Sequence, residues 1–71
     1  MVSTGPQTWH ILDMLRTYRG GVTPMDALRE AGCMRLAARI ADLRAAGYHI
    51  TTEYVNVNGR RFARYHLMEI R

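Results

Sequence analysis

The sequence contains no lysine: all ten of its basic residues are arginine. Arginine carries a planar fork of donors matched to phosphate oxygens and guanine edges. The choice suits nucleic acid, and codon usage in a GC-rich genome would equally produce it. Cysteine is nearly as scarce. Cys33 stands alone, which excludes an intramolecular disulfide and a Cys/His metal cluster and agrees with a reducing compartment. It reads as a small buried apolar residue rather than a reactive thiol. Also missing is any apolar run near the ~18–20 residues that span a bilayer, and Met1 to Trp9 have neither the basic start nor the apolar stretch of an export signal. The chain is therefore expected in the cytoplasm, with no membrane partner. The histidines, His10, His49 and His66, lie far apart without metal-ligand spacing, and no glycine-rich phosphate loop occurs. These absences argue against catalysis, a metal or a cofactor.

What remains is a globular composition, 48% hydrophobic and 23% charged over 71 residues, without a Pro/Ser tract or acidic run. It predicts one domain over residues 1–71 with a short flexible N-terminal segment at 1–4. A core of this size contributes only ~3–5 kcal/mol, so each motif is read first as structure. The net charge of +4 is unevenly placed. From Met1 to Gly32 three arginines meet three acids, whereas from Cys33 onward seven arginines meet three acids.

Thr4-Gly5-Pro6-Gln7 offers a capping-box start to a first helix running to about Arg19. Ile11, Leu12, Leu15 and Tyr18 form its buried stripe, Trp9 shields its start, and Gly20-Gly21 ends it. Thr23-Pro24-Met25-Asp26 starts a second helix, with Thr23 as cap, Pro24 at the first helical position and an acid in the first turn. That helix covers Pro24 to Ala31 and stops at Gly32. After the turn Gly32-Cys33-Met34, a third helix runs to Ala46. Leu36, Ile40 and Leu43 make its apolar row, and Arg35, Ala38, Arg39 and Asp42 make the opposite face. Small alanines between the arginines let that face approach another surface closely. The five methionines read as gap-fillers.

From Ile50 the composition turns to β, and Asn58-Gly59 is a strong type I′ hairpin signal. A two-residue loop pairs Val57 with Arg60, Asn56 with Arg61, Val55 with Phe62, Tyr54 with Ala63, Glu53 with Arg64, Thr52 with Tyr65 and Ile50 with Leu67. One face then collects Ile50, Thr52, Tyr54, Ala63, Tyr65 and Leu67, expected in the core. The other collects Glu53 opposite Arg64 with Val55, Val57, Phe62 and His66, expected to be partly exposed. Arg60 and Arg61 sit at the tip.

Three helices followed by a basic-tipped hairpin predict an α+β winged helix-turn-helix. The run Met34-Arg35-Leu36-Ala37-Ala38-Arg39-Ile40-Ala41-Asp42-Leu43-Arg44-Ala45-Ala46-Gly47-Tyr48-His49-Ile50, closed by Arg64-Tyr65-His66-Leu67 and preceded by Val22-Thr23-Pro24-Met25-Asp26-Ala27-Leu28, resembles small bacterial and prophage winged helix-turn-helix proteins. The resemblance covers Gly21 to Leu67 and implies duplex DNA binding by a transcriptional or phage developmental regulator. By position it implies that Arg35 and Arg39 enter the major groove. It also implies that Thr23 caps the second helix near a phosphate, and that Asn58, Arg60 and Arg61 form the wing on the backbone or minor groove. Asp42 braces Arg39 in an i, i+3 ion pair or accepts from a cytosine amine. One departure is Leu28, at the place four before the turn glycine where tight repressor-type units favour alanine.

The rival reading is a protein-interaction module, such as a phage-encoded inhibitor of a host protein, using Val55, Val57 and Phe62 as an apolar patch or homodimer surface. A lone domain reaches one half-site, so a second copy or a neighbouring regulatory protein is an expected partner beside DNA.

Overall fold

The computed structural model describes residues 6–68. The predicted cap at Thr4 and Gly5 and the segment 1–4 lie outside the described residues. Helix α1 spans Pro6–Thr17 and helix α2 Pro24–Ala31. Helix α3 spans Leu36–Ala45, and strands β1, His49–Val57, and β2, Arg60–Met68, form an antiparallel hairpin.

Helix α1 buries Thr8, Ile11, Leu12, Met14 and Leu15, a stripe at helical spacing that packs on α3 and α2. It stops two residues before the predicted end. Tyr18 lies outside the stripe at the protein rim, 36% exposed, where its hydroxyl donates to the Glu30 carboxylate and so ties the end of α1 to α2.

Helix α2 has the predicted bounds because both ends are punctuated. The Thr23 hydroxyl accepts from the Asp26 amide at 3.2 Å, and the Thr23 amide donates to the Asp26 carboxylate at 3.1 Å. This closes a reciprocal capping box that satisfies two otherwise orphaned donors. At the other end the Gly32 amide donates to the Leu28 carbonyl and the Cys33 amide to the Ala27 carbonyl. Ala27 is fully buried whereas Leu28 is 46% exposed, so the small residue packed under the turn stands one place earlier than a repressor-type unit would put it.

Leu36, Ile40 and Leu43 are buried as predicted and meet Ile11, Leu12, Leu15, Val22, Cys33 and Ile50 in one core, with Tyr48, Tyr65 and Leu67 packed against it. Cys33 is an interior residue, 1% exposed. Of the described methionines only Met14 fills the core; Met25, Met34 and Met68 are exposed, contrary to the gap-filling role expected of them. Trp9 is 46% exposed.

The hairpin register is the predicted one at every pair from Ile50–Leu67 to Val57–Arg60. Asn58 and Gly59 both have positive φ, 50° and 76°, as a type I′ turn requires. A further pairing has no counterpart in the sequence pattern: Val22 joins β2 opposite Tyr65 through two 2.9 Å backbone hydrogen bonds. This bridge draws Gly21 so close to β2 that a Cβ there would stand 2.6 Å from Arg64 Cγ. Of the hairpin only Ile50 is buried. Beyond it the ribbon outruns the core, which corrects the expected interior position of Tyr54: that ring is 59% exposed.

Candidate nucleic-acid interface

With Leu36, Ile40 and Leu43 turned inward, the helical period leaves Ala37, Ala41 and Ala45 on the solvent side of α3 and Ala38 half-buried. Arg35 precedes the helix as its cap residue, with φ −123° and ψ 63°, and no side chain caps the first turn. The opening amides of α3 therefore present partial positive charge to the outside, beside an exposed guanidinium. Arg39 is different. Its Nε donates to Asp42 Oδ2 at 3.0 Å, and both side chains are partly screened, at 29% and 22% exposed. The i, i+3 pairing expected between these residues is thus present, and it orients the Arg39 fork.

Arg44, on the opposite flank of α3, donates to the Ile50 carbonyl at 2.7 and 3.1 Å and to the Thr52 hydroxyl at 3.0 Å. It clasps the helix to the base of β1. Because Ile50 and Thr52 share a ribbon face with Tyr54 and Arg61, that face is the one turned toward α3. Arg61 lies over the Tyr54 ring, 4.3 Å from its centroid, a cation–π contact. Arg60, one residue away, belongs to the opposite ribbon face with Phe62, Arg64 and His66. The two tip arginines therefore flank the hairpin instead of forming one patch. Asn58, Gly59, Arg60 and Arg61 are all exposed.

On that opposite face Glu53 receives Arg64 at 3.6 Å and His66 Nε2 at 2.9 Å. Phe62 and Arg64 also line a wide groove with the α1–α2 loop, Thr23 and Met25. Thr23 itself is half-buried, its hydroxyl and amide both engaged in the cap. Burial disfavours the Asp26 charge, yet the two Thr23 hydrogen bonds and Arg29 outweigh it and hold the carboxyl below its ordinary range.

Sorted by partner, Arg29, Arg39, Arg44 and Arg64 are bound to groups of the protein, and Arg16 and Arg61 lie over rings. The side chains of Arg19, Arg35 and Arg60 have no hydrogen bond, ion pair or ring contact among the described residues. The family model for the winged helix-turn-helix domain matches residues 6–70, nearly the whole chain. The chain belongs to the winged helix-turn-helix family. No curated protein and no solved structure matches it.

In a winged helix the hairpin is the wing, and membership points to DNA binding in general. The fold places Arg35, Ala38, Arg39 and Asp42 on or beside α3, Asn58, Arg60 and Arg61 on the wing, and Thr23 at the start of α2. Sequence reasoning missed the Tyr54–Arg61 contact, although the register already placed these residues diagonally on one face. It also missed Arg44, which it counted only as charge. No described helix is long and apolar enough to cross a membrane, and no group of three or more potential metal ligands occurs among the described residues.

Proposed function

We propose that this chain, acting as a single domain in the cytoplasm, binds double-stranded DNA as a bacterial or phage transcriptional or developmental regulator. Helix α3 enters the major groove and the wing rests on the neighbouring backbone or minor groove. The observation that carries the reading is the sorting of the arginines. Arg35 at the start of α3 and Arg60 on the wing are exposed cations without protein partners, while most of their neighbours are internally engaged. Arg35 and the Asp42-braced Arg39 read base edges, each good bidentate contact discriminating by ~1–3 kcal/mol. The alanines of α3 permit close approach, and its uncapped amides meet a phosphate. Arg60 and Arg61, on opposite ribbon faces, hold the backbone on either side of the wing, with Asn58 at its tip.

Titration with mixed-sequence duplex at two salt concentrations tests the reading: binding is expected at low salt and is expected to weaken as salt rises. Replacing both Arg35 and Arg39 with alanine should abolish sequence preference with little change in melting temperature. Preference retained in that variant rules out α3 as the reading element. Replacing Arg60 and Arg61 should weaken all sequences alike and reduce the salt slope by ~2. A sequence-selective loss counts against the wing assignment.

A second reading, a protein-interaction module, draws support from exposed apolar side chains, Met25, Leu28 and above all Met34 at 85% exposure. Its expected Val55–Phe62 patch is half-buried, with Val57 exposed beside it. Failure to bind any duplex at low salt would select this reading.

A further inference from the structure

We propose that the outer edge of β1 pairs with β1 of a second copy, antiparallel and centred on Tyr54. Tyr65 gives both its amide and its carbonyl to Val22, so they face away from β1, and its partner Thr52 must likewise face away from β2. Alternation then assigns Ile50, Thr52, Tyr54 and Asn56 to the outer edge. The Arg44 guanidinium on the Ile50 carbonyl confirms the parity independently and closes the edge at that point. Thr52, Tyr54 and Asn56 remain, each offering an outward amide and carbonyl on an exposed stretch. The usual protections of a free edge are absent there: β1 contains no proline, no lysine and one charge, Glu53.

A two-fold axis restricts the register. Centring on Glu53 would oppose two carboxylates and demand the Ile50 carbonyl already held by Arg44. Centring on Val55 would recruit Asn58, which lies in the turn at positive φ. Centring on Tyr54 pairs Thr52 with the partner's Asn56, Tyr54 with the partner's Tyr54, and Asn56 with the partner's Thr52. It uses the three open residues and no others, opposes Glu53 to Val55, and covers the exposed Tyr54 ring. A second copy fits this edge because the open segment is complementary to itself.

The test contains no DNA, so it stands apart from the functional reading. Sedimentation equilibrium of the intact chain across a concentration series should show a reversible monomer–dimer equilibrium. Tyr54→Lys opposes two ammonium groups at the axis and should weaken association at least ~tenfold, with the circular dichroism spectrum retained. In a hydrogen-bonded pair the Cα atoms lie about 5.5 Å apart, within disulfide range. Oxidised Tyr54→Cys should therefore crosslink to itself, whereas Asn56→Cys should crosslink only when mixed with Thr52→Cys. A monomer at every concentration overturns the proposal, as does a dimer that Tyr54→Lys leaves intact. A dimer in which Tyr54→Cys fails to crosslink overturns the register.

Discussion

A methyl group on Gly21 would meet Arg64 Cγ at 2.6 Å and His66 Cε1 at 2.8 Å, at a φ of +95° that side chains avoid. Gly21→Ala should therefore lower stability by ~2–3 kcal/mol, read as a shift in urea midpoint at unchanged slope. Thr23 and Asp26 allow a test with a sign. Because the folded Asp26 carboxyl is held below its ordinary value, its contribution is fully present above about pH 4 and is lost as pH falls through the lower folded value. Asp26→Asn should flatten that part of the acid-unfolding curve. Tyr18 behaves oppositely: its hydrogen bond to Glu30, aided by burial, raises the phenol above 10.0. Its contribution is present below that pH and disappears as pH rises through the raised value, so Tyr18→Phe should lessen alkaline sensitivity. The Thr23 cap was legible because a hydroxyl residue before proline has few other uses. The Gly21 contact was not, since nothing local announces which strand will cross a glycine.

Among the elements, α2 was readable to the residue and the hairpin in its turn and register, with one further pair, His49–Met68, at its base. Their ends carry chemistry that acts locally: Thr23-Pro24 and Gly32 for the helix, Asn58-Gly59 for the turn. The single-residue bridge at Val22 left no trace, because one paired residue has no periodicity. Tyr54 was misplaced for a different reason. Alternation tells which face a side chain takes, but not how far along the ribbon the core extends. Arg44 and Arg35 show how alike two arginines look in sequence and how differently they are used. Arg44→Ala removes donors from the Ile50 carbonyl and should cost ~1–2 kcal/mol, whereas Arg35→Ala should stay within ~0.5 kcal/mol of the parent. Paired denaturation curves of the two variants would check the contrast.

At the scale of the molecule, a helical body and an exposed arm divide the chain. The core joins three helices to the base of the hairpin, and from Thr51 to Arg61 all residues but the half-buried Val55 are exposed. Stability should be graded accordingly. In native-state hydrogen exchange, the Val55 and Val57 amides should exchange by local opening while the Tyr65 amide, shared with Val22, exchanges only on global unfolding. Equal protection along the ribbon would contradict that division. The charge map was legible at this scale as an excess in the second half of the chain; its division into engaged and unengaged arginines required the fold.

The Val22 stitch on Tyr65 has a consequence for assembly in bulk. It occupies the far border of β2 midway along, while the Arg44 guanidinium plugs the near border of β1 at its root. Lateral stacking of hairpins from molecule to molecule needs two open borders. Each border is thereby shortened to a few residues toward the tip, Thr52, Tyr54 and Asn56 on β1 and Arg61 and Ala63 on β2, so a stack of hairpins would be held by short ladders only.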